Sequence, residues 1–137
     1  MKQDYYRKIE RYLYHLYEPE VLVEDVRQYY ISRMNLSPSA WLRGANNSFD
    51  NQVIKMLDSI EIKEIRKWVE FLKELLTFFK QENHRYYSYI WLKYIKERKD
   101  KEIKKVMNLN NNDLKKLKEA VMDVIYNEAI LKELVID

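Results

Sequence analysis

The side chains able to do chemistry are few in kind and unevenly spread. His15 and His84 are the only histidines. They fall in separate helical segments, and neither has metal-ligand spacing of the His-Glu-x-x-His type. The chain has no cysteine, which excludes a thiolate zinc site and a disulfide-stapled module. Its 22 carboxylates sit among 25 lysines and arginines at helical spacing, the pattern of i,i+4 pairs on solvated faces. Gly44 is the only glycine, so no Gly-rich phosphate loop can form. These residues predict no enzyme, no resident metal and no cofactor.

A cluster of Lys and Asn between positions 104 and 118 is different. Lys neutralises phosphates, and Asn can pair with adenine edges in the major groove. Between Arg85 and Lys118 there are eleven basic residues and four acidic ones, a local balance of +7. Residues 1–60 balance at zero and residues 119–137 at −4, so the whole-chain charge of +3 conceals the concentration.

Elements must position that cluster, and the composition says which kind. Apolar residues make up 47% and charged residues 34%, with one Gly and two Pro in 137 residues. Strong helix formers with almost no breakers predict an all-α chain of one domain or one core with an appended hairpin. No segment approaches the ~20 apolar residues that cross a bilayer. The opening Met1-Lys2-Gln3-Asp4-Tyr5-Tyr6 lacks the apolar run of a signal peptide, so the cytoplasm is the expected compartment and no membrane partner is expected.

Apolar spacing then divides the chain. Tyr5, Ile9, Tyr12, Leu13 and Leu16 form one stripe, ending near Glu18-Pro19. Leu22, Val23, Val26, Tyr29, Tyr30 and Met34 form a second, which makes residues 1–34 a helical hairpin. The period is lost in 35–47, read as a linker holding Pro38 and Gly44. Residues 48–82 form a central helical segment, with Ser48 as a cap, a face through Val53, Ile54 and Leu57, and an Asp58/Glu61 capping box that could interrupt it. Ile65, Trp68, Val69, Leu72, Leu75, Leu76 and Phe79 follow as the longest apolar seam. Phe71 and Phe78 widen that seam beyond one face, and the surplus suggests a homodimer.

Residues 84–137 hold the helix marked by Tyr87, Ile90, Trp91, Tyr94 and Ile95, a stop in Glu97-Arg98-Lys99-Asp100, and a short helix from Asp100 to Met107. A three-residue turn, Asn108-Leu109-Asn110, leads to a long final helix with Leu114, Leu117, Val121, Val124 and Ile125 on one stripe. This is the layout of a helix-turn-helix. Ile103, Val106 and Met107 are expected to face the core. Asn108 suits a left-handed conformation, Leu109 fills the angle, and Asn110 caps the last helix with Asp113 in its first turn. Asn111, Asn112, Lys115, Lys116 and Glu119 are left pointing outward. The candidate DNA-binding residues are Lys104, Lys105, Asn110, Asn111, Asn112, Lys115, Lys116 and Lys118. Twelve tyrosines and three tryptophans could stack on unpaired bases, but most fall on the apolar stripes and read as core.

The segment from about Tyr86 to Leu131 resembles the C-terminal helix-turn-helix of phage-encoded activators of the ArpU/RinA type, which is similar to the promoter-reading domain of sigma factors. The matching residues are the aromatic helix Tyr86 to Tyr94, the Glu102-Ile103 pair, the Asn108-Leu109-Asn110 turn, and Leu114, Leu117, Ala120 and Val121. The opening Tyr6 to Tyr14 resembles that family's first helix. Lys104 and Asn110 to Asn112 depart from its usual small residue and Ser. The resemblance implies a sequence-specific regulator of late genes in a phage or mobile element, with double-stranded DNA and RNA polymerase as partners. The alternative reading is a protein-interaction module whose helix-turn-helix no longer reads DNA and which modulates another regulator or the polymerase.

Overall fold

The structure, a computed structural model, describes residues 2–33 and 58–135, and every regular element among them is helical. They are α1 (Lys2–Tyr14), α2 (Pro19–Arg33), a π-helical segment (Asp58–Ile62) that runs into α3 (Lys63–Glu82), α4 (His84–Ile90), a π turn (Trp91–Ile95), α5 (Asp100–Met107) and α6 (Asn111–Leu131). None of these helices is long and apolar enough to cross a membrane. Contacts divide the chain into two compact units, residues 17–67 and residues 1–16 with 68–137.

In the unit of residues 17–67, Pro19 opens α2, where its missing N–H leaves no bond unmade and its fixed φ suits the first turn. Leu22 and Val23 are buried, as are Ile62 and Ile65, and α2 packs on the π-helical segment. Tyr29, expected on the buried stripe, is 54% exposed. The expected 35–47 linker, the Ser48 cap and the Val53, Ile54 and Leu57 face lie outside the described residues, as do Met34 and the side chain of Tyr30.

In the other unit α1 packs on both α6 and the π turn. The stripe Ile9, Tyr12, Leu13 and Leu16 is buried as its spacing predicts, and Trp68, Leu72 and Phe79 of α3 are buried too. Complete burial of an aliphatic side chain such as Ile9 or Leu13 contributes roughly 1.5–3 kcal/mol. Rings order this core: Tyr12 lies 5.8 Å from Trp68, Phe79 meets Tyr86 edge-on at 5.5 Å, and Tyr14 meets Tyr94 edge-on at 4.8 Å. Burial pushes the hydroxyls of Tyr89 and Tyr94 above the ordinary tyrosine range, since an ionised phenol there would lose its water.

Two expectations for the apolar faces change. Phe71 is covered, edge-on to Trp68 at 5.9 Å, so the surplus apolar face of α3 shrinks to Phe78, which is 55% exposed. Val106 is 68% exposed rather than core. The covered face of the eight-residue α5 is centred on Ile103, Lys104 and Met107, which places Val106 about 100° around the helix from it.

Candidate nucleic-acid interface

The turn between α5 and α6 is built from local residue types. Asn108 adopts the left-handed conformation at φ 57° and ψ 55°, which Asn tolerates better than most residues that carry a Cβ. The Leu109 N–H then bonds back to the Lys104 carbonyl at 2.8 Å, which also accepts from the Asn108 N–H, and this closes the end of α5. Asn110 is extended, and its Oδ1 accepts from the Asp113 N–H at 2.8 Å while the Asp113 carboxylate accepts from the Asn110 N–H at 3.3 Å. This reciprocal capping box fixes where α6 begins, and Asp113 adds negative charge at the positive end of the helix. The core face resumes at Leu114 and Leu117, both buried.

Burial of Leu114 and Leu117 fixes the rotation of α6, which turns Asn111, Asn112, Lys115, Lys116 and Lys118 to solvent. Lys105 is exposed on α5. Lys104 is half-buried along its stem, and its amine donates to Asn111 Oδ1, so it bridges the two helices across the turn. Lys118 lies 3.5 Å from Glu10 of α1. The eight candidates therefore sort by role. Asn110 is engaged as a cap, Lys104 and Asn111 hold each other, Lys118 leans on α1, and Lys105, Asn112, Lys115 and Lys116 stand open.

Sequence reasoning missed the contribution of α1. The Tyr6 hydroxyl donates to the Asp123 carboxylate on α6, and Lys2 reaches the same carboxylate at 2.9 Å. These two hydrogen bonds hold the Asp123 carboxyl below the usual carboxylate range. The tie joins residues 117 positions apart, beyond the reach of any local period. Once α1 is held there, Arg7 and Arg11 line a groove of about 720 Å3 with Lys93 of the π turn and Arg98 beyond it. His15 lies in the same groove, while His84 sits on α4 beside the ring of Tyr87. No group of three or more His, Asp or Glu side chains suited to a metal ion occurs among the described residues.

The π turn shapes this side of the unit. The Lys96 N–H reaches back five residues to the Trp91 carbonyl at 2.8 Å, and Glu97 follows at φ 50°. Lys93 bonds Asp100 at 2.8 Å, which raises the lysine pKa against the opposing effect of its partial burial. No protein-family model matches the chain, and neither a curated protein nor a solved structure matches it.

Proposed function

We propose that the protein is a DNA-binding transcriptional regulator whose α5, turn and α6 act as a helix-turn-helix, with α6 as the reading helix. The observation that carries this reading is the first turn and a half of α6. A capping box fixes its start, and Asn112, Lys115 and Lys116 stand exposed on it. Reading helices present their N-terminal residues to base edges, and flanking lysines neutralise phosphates. Lys105, Lys115 and Lys116 position the duplex, Asn112 is the residue best placed to meet a base, and the Lys104–Asn111 bond keeps the two helices in register. The resemblance to ArpU/RinA-type activators extends the proposal to late-gene control in a phage or mobile element, with RNA polymerase as a further partner and a homodimer as the binding form.

Gel retardation of duplex DNA at two salt concentrations tests the reading. Steep weakening with salt, and loss of retardation in the Lys115→Ala/Lys116→Ala variant with helicity intact, is the expected outcome. Unchanged retardation in that variant removes α6 from the interface. The second reading, a protein-interaction module, draws on Val106, an apolar side chain standing 68% exposed beside the cationic surface. It predicts only weak retention of DNA with little salt dependence.

A further inference from the structure

Three concavities meet on the unit of residues 1–16 and 68–137. The groove of about 720 Å3 between α1 and the π turn is large enough for a nucleotide-sized segment. A second concavity shares Lys93 with it and runs to Lys115 and Lys118. A third shares Arg7 and Glu10 with it and reaches the same two lysines. Through these shared walls they form one depression that begins at the exposed start of α6 and ends at Arg98.

Two of the four carboxylates that line the depression are turned onto cations, while Glu97 and Glu119 line it as well. Glu10 faces Lys118 at 3.5 Å and Asp100 faces Lys93 at 2.8 Å. Arg98 is held loosely by Glu102 at 3.7 Å, and Arg7 makes no ion pair among the described residues. The exposed Arg98–Glu102 pair is worth about 0–1 kcal/mol, so an incoming phosphate can take Arg98 at small expense. A guanidinium presents a planar fork that matches phosphate oxygens two at a time.

We infer that this depression is a second phosphate-backbone contact, and that duplex DNA engaged by α6 continues across α1 with Arg7, Arg11 and Arg98 on its phosphates. The inference rests on the DNA-binding reading of α6 and adds α1 to the interface. Continuity with Lys115 favours this occupant over an acidic polypeptide, which would be an independent ligand of the groove.

The experiment is fluorescence anisotropy of a labelled mixed-sequence duplex over a salt series, with wild type, Arg7→Ala/Arg98→Ala and Lys115→Ala/Lys116→Ala compared after circular dichroism. Each lost phosphate contact lowers the salt slope by about 1, so the arginine variant is expected to lose about 2 from the slope and about tenfold in affinity, alike for every sequence. The Arg7→Gln/Arg98→Gln variant, which keeps polar side chains at both positions, should behave the same. Loss of slope in the lysine variant with an unchanged arginine variant overturns the groove contact and leaves the α6 reading standing. An arginine variant that loses binding to polyglutamate but not to duplex overturns it in favour of the acidic polypeptide. A wild-type chain that binds no duplex overturns both.

Discussion

The two turns that bracket α5 are built in opposite ways. At its C-terminal end the chain turns through Asn108, a residue tolerant of the left-handed region, and passes directly into the Asn110–Asp113 capping box. At its N-terminal end the chain leaves a π turn, passes through Glu97 at φ 50°, and enters α5 after Lys99, which supplies no side-chain cap. Glu has no short polar group to offset the clash of its Cβ, which costs roughly 1–2 kcal/mol. Backbone bonds from Glu102 and Ile103 to the Lys99 carbonyl and the Lys93–Asp100 pair hold that start instead. One turn therefore follows the preferences of its own residues, while the other is held by its surroundings. The second is also where Lys93, Glu97 and Arg98 line the groove, and backbone strain is commonly retained at such sites.

The largest expected effect tests whether α5 is anchored between the turns by Ile103, which is fully buried. Ile103→Ala should cost about 2–5 kcal/mol in denaturant unfolding. Val106→Ala on the same helix should cost under about 0.5 kcal/mol, as for an exposed site. Equal costs for the two would mean that the helix is rotated from the position described.

Next in size is the difference between the caps. Asn110→Ala should lower stability by about 1 kcal/mol, because it leaves the Asp113 N–H without its acceptor. Lys99→Ala should change stability within about 0.5 kcal/mol, since no cap bond is lost. A Lys99 variant as damaged as the Asn110 variant would erase the contrast.

A smaller effect has the opposite sign. Glu97→Gly should raise stability by about 0.5–1 kcal/mol as relief of the left-handed clash exceeds the added chain entropy. Asn108→Gly should gain only a few tenths, about 0.2 kcal/mol, because Asn is already tolerated there. Thermal unfolding of both variants decides it, and a destabilised Glu97→Gly would show that the side chain carries a contact worth more than the clash.

The smallest effect concerns the ion pair at the N-terminal turn. Lys93 has its pKa raised in the folded state by Asp100, so its contribution is complete below the unfolded lysine value of about 10.4 and is lost as pH rises through the folded one. Asp100→Asn should therefore cost up to about 1 kcal/mol at neutral pH, and the cost should fade in strongly alkaline solution. A cost independent of pH would assign Asp100 a structural role unrelated to Lys93.

The same contrast explains what was legible in the sequence. The bounds of α5, the left-handed Asn108, the cap at Asn110 and the outward Asn112, Lys115 and Lys116 follow from residue types within a few positions of each other. Val106 misled because Ile103, Val106 and Met107 share one arc of a two-turn helix, and the covered face is turned toward Lys104, which leaves Val106 at the open edge. Tyr89 and Tyr94 form part of the buried core, yet Tyr89 lies off the stripe, since the π turn that follows α4 breaks the regular 3.6-residue period. Arg7 and Arg11 could not be recognised as companions of α6. Residues 1–60 are neutral as a block, and contacts distant in sequence, among them Tyr6–Asp123, Lys2–Asp123 and Glu10–Lys118, bring α1 beside the basic surface.

The proposed function stands or falls on contact between the start of α6 and DNA. Titrating the 15N-labelled chain with a mixed-sequence duplex and following its amide resonances tests this most directly. The largest shifts are expected at Lys105, Asn112, Lys115 and Lys116, with a second set at Arg7 and Arg98. Absence of shifts, or shifts confined to residues 17–33, would contradict that contact.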